Sequence, residues 1–143
     1  MPEDTAGDHD LRILIVDQHT VSRAAVRALL RTEGLDVVAD LAAIDEALSE
    51  ARALSPDVTL IDISPGDART LEIAHAIRTL PDAPAVVLTS SADRSAFEET
   101  LHNFVFVPKA DVSARQILEH SRGSSRLGLS HTTGQERTVS FDA

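Results

Sequence analysis

The chain has 143 residues, 43% of them apolar but only 3% aromatic, and its 23 acidic and 13 basic side chains give a net charge of −10. That length suits one domain with a core of Leu, Ile, Val and Ala, and the charge argues against non-specific binding to nucleic acid or anionic membranes. The absence of cysteine excludes disulfides and thiolate metal sites and fits a cytoplasmic setting. No stretch reaches the ~20 apolar residues of a membrane span, and the acidic opening MPEDTAGDHD lacks an apolar signal core.

Residues 1–10 are polar and expected to be flexible. From residue 11 onward, short apolar runs alternate with amphipathic segments. The strand candidates are 11–17 (LRILIVD), 36–40 (DVVAD), 58–63 (VTLIDI), 85–90 (AVVLTS) and 104–107 (FVFV). Their central members are apolar on both faces, as a covered parallel sheet requires. In the helical segment 21–33, Val21, Ala25, Leu29 and Leu30 fall on one stripe, with Arg23, Arg27 and Arg31 elsewhere and Gly34 placed as a C-cap. In 43–54 the stripe is Ile44, Ala47, Leu48 and Ala51, and in 68–80 it is Leu71, Ala74, Ile77 and Arg78. Segments 93–102 and 112–121 complete five strand–helix pairs, weaker in pattern. Right-handed crossovers then give a three-layer, doubly wound α/β sandwich on a five-stranded parallel sheet. From Gly123 the sequence is rich in Ser, Thr and Gly without helical period, and 123–143 is expected to be a flexible tail. A tail of that composition favours a complete protein.

In such a sheet the C-terminal strand ends converge on one crevice. There the sequence places Asp17 and Gln18 after the first strand, Asp62 at the end of the third, Thr89 and Ser90 at the end of the fourth, and Lys109 after the fifth. Carboxylates with a hydroxyl and a lysine can hold a hard divalent cation through oxygen. They can also stabilise a phosphoryl group.

These residues carry a resemblance. The stretches RILIVDQHTVSRAAVRALL, PDVTLIDIS followed by LEIAHAIR, AVVLTS and FVFVPKA occur in order over 11–122. Together they resemble the receiver domain of bacterial two-component response regulators, in the flavour that usually precedes a helix-turn-helix domain. The resemblance implies flavodoxin-like strand order 2-1-3-4-5 and makes Asp62 the phosphoacceptor. It gives Asp17 and Asp62 to Mg2+, with the backbone carbonyl of Ser64 as a third ligand. Thr89 and Lys109 would bind the phosphoryl oxygens, and Phe106 would follow phosphorylation as a switch aromatic. Its implied partners are a histidine kinase or phosphotransfer protein, and a downstream protein at the face of the fourth helix, fifth strand and fifth helix. A homodimer is compatible with it, while direct nucleic-acid or membrane contact is not expected. The implied role is signalling rather than enzymatic.

Four positions depart from the pattern. The family's second acid after the first strand is a direct Mg2+ ligand, and here it is Gln18, a weaker neutral donor. The loop after Asp62 usually carries Pro four and Gly eight residues on; here these are Gly66 and Thr70, with Pro65 shifted by one. Ser90 stands where a small Ala is common. These departures support an alternative, a pseudo-receiver that binds or dimerises without phosphorylation. An aspartate-nucleophile phosphatase would need a second acid two residues after Asp62, and a flavin site would need a phosphate loop after the first strand; neither is present.

Taken singly, most of these residues have ordinary explanations. Asp17 could cap a helix, Thr89 is a good β-former, Lys109 could be a surface charge, and Phe106 suits a core. Gln18 and His19 read as solvent-facing residues at a helix start, and the six histidines show no i, i+4 pairing that would suggest zinc. Asp62 differs, because an unpaired carboxylate inside an apolar run is costly.

Overall fold

The computed structural model describes residues 11–97, 101 and 103–121. Strands β1 (Arg12–Val16), β2 (Asp36–Leu41), β3 (Val58–Asp62), β4 (Ala85–Ser90) and β5 (Val105–Pro108) form one sheet. Its order is β2-β1-β3-β4-β5, and each adjacent pair is parallel. Three α-helices lie within the crossovers, α1 (Thr20–Thr32), α2 (Ala47–Leu54) and α3 (Ala68–Arg78), and a fourth, α4, covers 114–121. The doubly wound architecture and the strand order expected from the sequence are both present. The flexible segments expected over 1–10 and 123–143 lie outside the described residues.

Two cores flank the sheet, because successive strand residues point to opposite faces. Ile13, Ile15, Val58, Leu60, Val87 and Val107 pack with Val26 and Leu30 of α1 and with Ala114 and Ile117 of α4. Leu14, Val16, Ile61 and Leu88 pack on the other face with Ala47 and Ala51 of α2 and Ala74 and Ile77 of α3. Each fully buried Leu or Ile contributes about 1.5–3 kcal/mol over its exposed state.

Local chemistry sets the element ends. At Gly34, φ is +96°, and the Gly34 N–H donates to the Arg31 carbonyl while the Leu35 N–H donates to that of Leu30. That is a Schellman ending, with Leu35 packed in the same core as Leu30. Ser113 opens α4, its hydroxyl accepting from the Gln116 N–H, and Glu33 accepts from the Ala114 N–H at 2.6 Å.

Three expectations need correction. Three of the four residues assigned to the α1 stripe face outward: Val21 is 84% and Leu29 39% exposed, and Ala25 is exposed too, whereas Leu30, the fourth, is buried as expected. The sheet is met by Val26 and Leu30, with Arg23 and Arg27 flanking them and paired to Asp40 of β2 at 3.2 and 3.1 Å. Val21, Ala25 and Leu29 share i, i+4 spacing as Val26 and Leu30 do, so periodicity alone does not choose between the faces; the buried face is the one whose flanking Arg23 and Arg27 pair with Asp40. The segment 43–54 divides into a 3-10 turn, Ile44–Glu46, and α2. The segment 93–102 contains a 3-10 turn, Arg94–Phe97, while residues 98–100 and 102 lie outside the described set.

Candidate functional site

The strand pleat gathers the site. Asp17 follows Ile13 and Ile15 on one face of the sheet, Asp62 follows Val58 and Leu60, Thr89 follows Val87, and Lys109 follows Val107. All four therefore share one face at the C-terminal strand ends, and Asp62 and Thr89 are partners in the β3–β4 register. Phe106 has the opposite parity and packs with the second core.

Lys109 bridges the carboxylates, its Nζ lying 3.0 Å from Asp17 Oδ2 and 2.7 Å from Asp62 Oδ1. His19 meets the other two oxygens, its Nδ1 lying 3.1 Å from Asp17 Oδ1 and 3.4 Å from Asp62 Oδ2. Both carboxylate side chains are 4% exposed, whereas the imidazole is 55% exposed. Asp17 has more support. It accepts from the His19 N–H at 2.9 Å and the Ser22 hydroxyl at 2.7 Å, and its carbonyl accepts from Arg23 at 2.8 Å.

That asymmetry separates the two acids electrostatically. Burial pushes the Asp17 carboxyl up, but the hydrogen bonds from the His19 backbone, Ser22 and Lys109 outweigh it and hold it below the usual range. Burial also pushes Asp62 up; Lys109 opposes this but the Asp17 charge adds to it, and Asp62 ends above its usual value. Burial would lower Lys109, yet its hydrogen bonds to Asp62 and Asp17 raise it. The site thus holds one carboxyl made more acidic and one made more basic than an ordinary aspartate, beside an ammonium whose pKa is raised by both.

Thr89 is buried, and among the described residues its hydroxyl has no hydrogen-bond partner. Thr59 shares that property, but it sits inside β3 on the other face, away from the strand ends. Ser90 is buried and its hydroxyl accepts from the Ala92 N–H at 3.0 Å, closing the turn after β4.

The loop after Asp62 explains its own departures. The Asp67 N–H donates to the Ser64 carbonyl at 3.1 Å across Pro65 and Gly66, with φ of +83° at Gly66. Pro at the second and a positive-φ Gly at the third position are the signature of a type II turn. Asp67 then caps α3 by accepting from the Thr70 N–H at 3.1 Å and hydroxyl at 2.6 Å. Thr70 at the family's glycine position is thus a buried capping partner. The Ser64 carbonyl spends one lone pair on the turn.

Gln18 is solvent-exposed. The side-chain donors that converge closely enough to share an ion, among the described residues, belong to Asp17, His19 and Asp62. His19 was read from the sequence as merely solvent-facing. It is exposed, but its Nδ1 reaches both acids, a contact that rests on the turn after β1 and has no spacing signature. Phe106 is half-buried, tilted on Phe97 at 5.6 Å between ring centres, with the Arg94 guanidinium 5.6 Å above its ring.

Comparison with known proteins agrees with this geometry. The response regulator receiver domain family matches residues 13–109. The chain is 28% identical over 102 residues to the sensory transduction protein LytT of Bacillus cereus, covering 68% of this chain and 42% of that protein. It is 36% identical over 81 residues to the response regulator GacA of Pseudomonas viridiflava, covering 55% and 38%. The chain thus spans about two fifths of the length of these curated relatives. Among solved structures it resembles the signal receiver domain of NarL from Mycobacterium tuberculosis, with a TM-score of 0.63, 28% identity and coverage of 80% and 98%. A five-stranded parallel sheet in the order 2-1-3-4-5, with its buried acids at the C-terminal strand ends, carries the family's sequence match: the chain belongs to the response regulator receiver domain family.

Proposed function

We propose that Asp62 accepts a phosphoryl group from a phosphohistidine of a histidine kinase or phosphotransfer protein. The observation that carries this is the Asp62 carboxylate: buried, more basic than usual, bridged by Lys109 to a second acid, and in register with an unpartnered Thr89 hydroxyl. In the reaction, a carboxylate oxygen of Asp62 attacks phosphorus, the P–N bond breaks, and the imidazole leaves, taking up a proton. Lys109 neutralises charge on the phosphoryl oxygens, and the Thr89 hydroxyl acquires in them the acceptor it lacks. Asp17, kept ionised by its hydrogen bonds, keeps Lys109 in place when Asp62 is consumed.

Receiver domains bind Mg2+, and the donor set here fits a divalent cation: Asp17 and Asp62 present carboxylate oxygens, and the Ser64 carbonyl keeps a lone pair. When bound, the ion supplies charge neutralisation at the phosphoryl oxygens. Exposed Gln18 adds at most a weak neutral ligand.

In this reading the receiver unit spans 11–122 and acts in the cytoplasm. Its output runs through protein contacts at the face holding Arg94–Phe97, β5 and α4, where Phe106 lies against Phe97. The rotation of that ring between two packings is the bistable element. Among the described residues no helix is long and apolar enough to cross a membrane.

A second reading, a binding or dimerisation module without phosphorylation, draws on one observation: Lys109 and His19 already engage all four carboxylate oxygens of Asp17 and Asp62. The two readings separate on treatment with acetyl phosphate and Mg2+ followed by intact-mass measurement. A phosphoryl adduct on the wild type that is missing from Asp62→Asn supports phosphotransfer. No adduct at any Mg2+ concentration leaves the second reading.

A further inference from the structure

We infer that His19 is a third metal ligand, and that the Asp17–His19–Asp62 constellation selects a first-row transition cation, such as Co2+ or Zn2+, over Mg2+. The inference rests on the acidic pocket being a cation site, as proposed above, and adds a ligand and a metal class to it. One ligand atom from each of Asp17, His19 and Asp62 lies within 4.8 Å of the others. The division of oxygens makes room for an ion. Lys109 takes Asp17 Oδ2 and Asp62 Oδ1, whereas His19 Nδ1 faces Asp17 Oδ1 and Asp62 Oδ2. A cation on the His19 side therefore meets two carboxylate oxygens and one imidazole nitrogen without displacing the lysine.

A second observation points to a missing occupant independently of the charges. Thr89, the register partner of Asp62 on the same sheet face, is buried and its hydroxyl has no partner among the described residues. A buried polar atom beside the acids is thus left unpaired at the strand ends. The chemistry of the donors then sets the metal. Mg2+ prefers oxygen throughout, whereas imidazole nitrogen suits Zn2+, Co2+ and Ni2+. Gln18, exposed at the position of a direct carboxylate ligand, removes an anionic oxygen that would have favoured Mg2+. One harder ligand is lost and one softer ligand stands beside it.

The test titrates the full chain separately with Co2+ and Mg2+, following Co2+ by its visible absorption and both ions by calorimetry, for wild type, His19→Ala and Asp62→Asn. The inference predicts Co2+ binding tighter than Mg2+ by on the order of tenfold or more, with the spectrum of a mixed nitrogen–oxygen site. His19→Ala is expected to cut the Co2+-to-Mg2+ affinity ratio by a similar factor and change the spectrum, while Asp62→Asn weakens both ions. The half-exposed imidazole makes His19→Ala a mild change for folding, checked by its melting temperature. A His19→Ala protein with the wild-type ratio and spectrum overturns the inference and assigns the signal to other histidines; if Asp62-dependent Mg2+ binding persists, the receiver reading stands. Loss of all Asp62-dependent binding in the wild type overturns both.

Discussion

The two ends of the sheet are built from the same residue types and finished differently. At the N-terminal end, Arg12 donates from its backbone to Asp57 Oδ2 at 2.8 Å and from its guanidinium to the carbonyls of Leu54 and Ser55 at 2.6 and 2.8 Å. The Asp57 N–H returns a bond to the Arg12 carbonyl at 2.8 Å. One cation closes the last turn of α2 and one carboxylate joins β1 to β3, so protein satisfies protein. At the C-terminal end two buried carboxylates share Lys109 and an exposed histidine, and the buried Thr89 hydroxyl has no partner among the described residues. Buried polar groups are normally paired. The closed end ties α2, β1 and β3 together, and the open end carries the polar cluster for which we propose a cation and a phosphoryl group.

The sharpest way to break that contrast is to remove its central group. Asp62→Asn is expected to abolish phosphorylation by acetyl phosphate, read by intact mass. Next comes Lys109→Ala, for which the phosphorylation rate should fall ~10²-fold or more, since a positioned charge at the transferring group is lost. The opposite end should answer in stability alone: Arg12→Ala costs about 1–2 kcal/mol in a urea melt, through lost hydrogen bonds, with phosphorylation unchanged.

Asp62 also carries a stability signature. Its folded pKa lies above the unfolded value of 3.8, so its ionised form is the disfavoured one in the fold. Asp62→Asn in metal-free buffer should therefore melt higher than the wild type at neutral pH. The gap should close as pH falls through the raised pKa toward 3.8. Asp17 has the opposite sign: its lowered pKa makes it stabilising above 3.8, and that contribution disappears as pH falls through the folded value. The smallest expected effect is that of Gln18→Asp, which restores an anionic oxygen and should tighten Mg2+ binding severalfold by calorimetry.

How much was legible follows from the same residues. The strands announce themselves because runs such as RILIV and VTLID are apolar on both faces, and Asp62 stands out because a carboxylate ends such a run. Asp17, Thr89 and Lys109 follow from strand parity. The rotation of α1 was legible only in part: Leu30 of the expected stripe is buried, but Val21, Ala25 and Leu29 are as periodic as Val26 and face outward, while Arg23 and Arg27 reach Asp40. His19 was not legible: its approach to both acids depends on the backbone path from Asp17 into α1. The loop after Asp62 lay between these cases. Pro65-Gly66-Asp67 spells a type II turn leading into a helix cap, a signal carried by the residue types themselves and not by the family's Pro and Gly spacing.

The central claim is that the open end of the sheet is a phosphoacceptor pocket. Its most direct measurement is the amide NMR spectrum of the wild type with Mg2+ before and after beryllofluoride, which takes the place of a phosphoryl group on a carboxylate. The account predicts shifts at Asp62, Thr89 and Lys109 that extend to Phe106, with none in Asp62→Asn. A wild-type spectrum that beryllofluoride leaves unchanged at saturating Mg2+, or one that changes equally in Asp62→Asn, would contradict it.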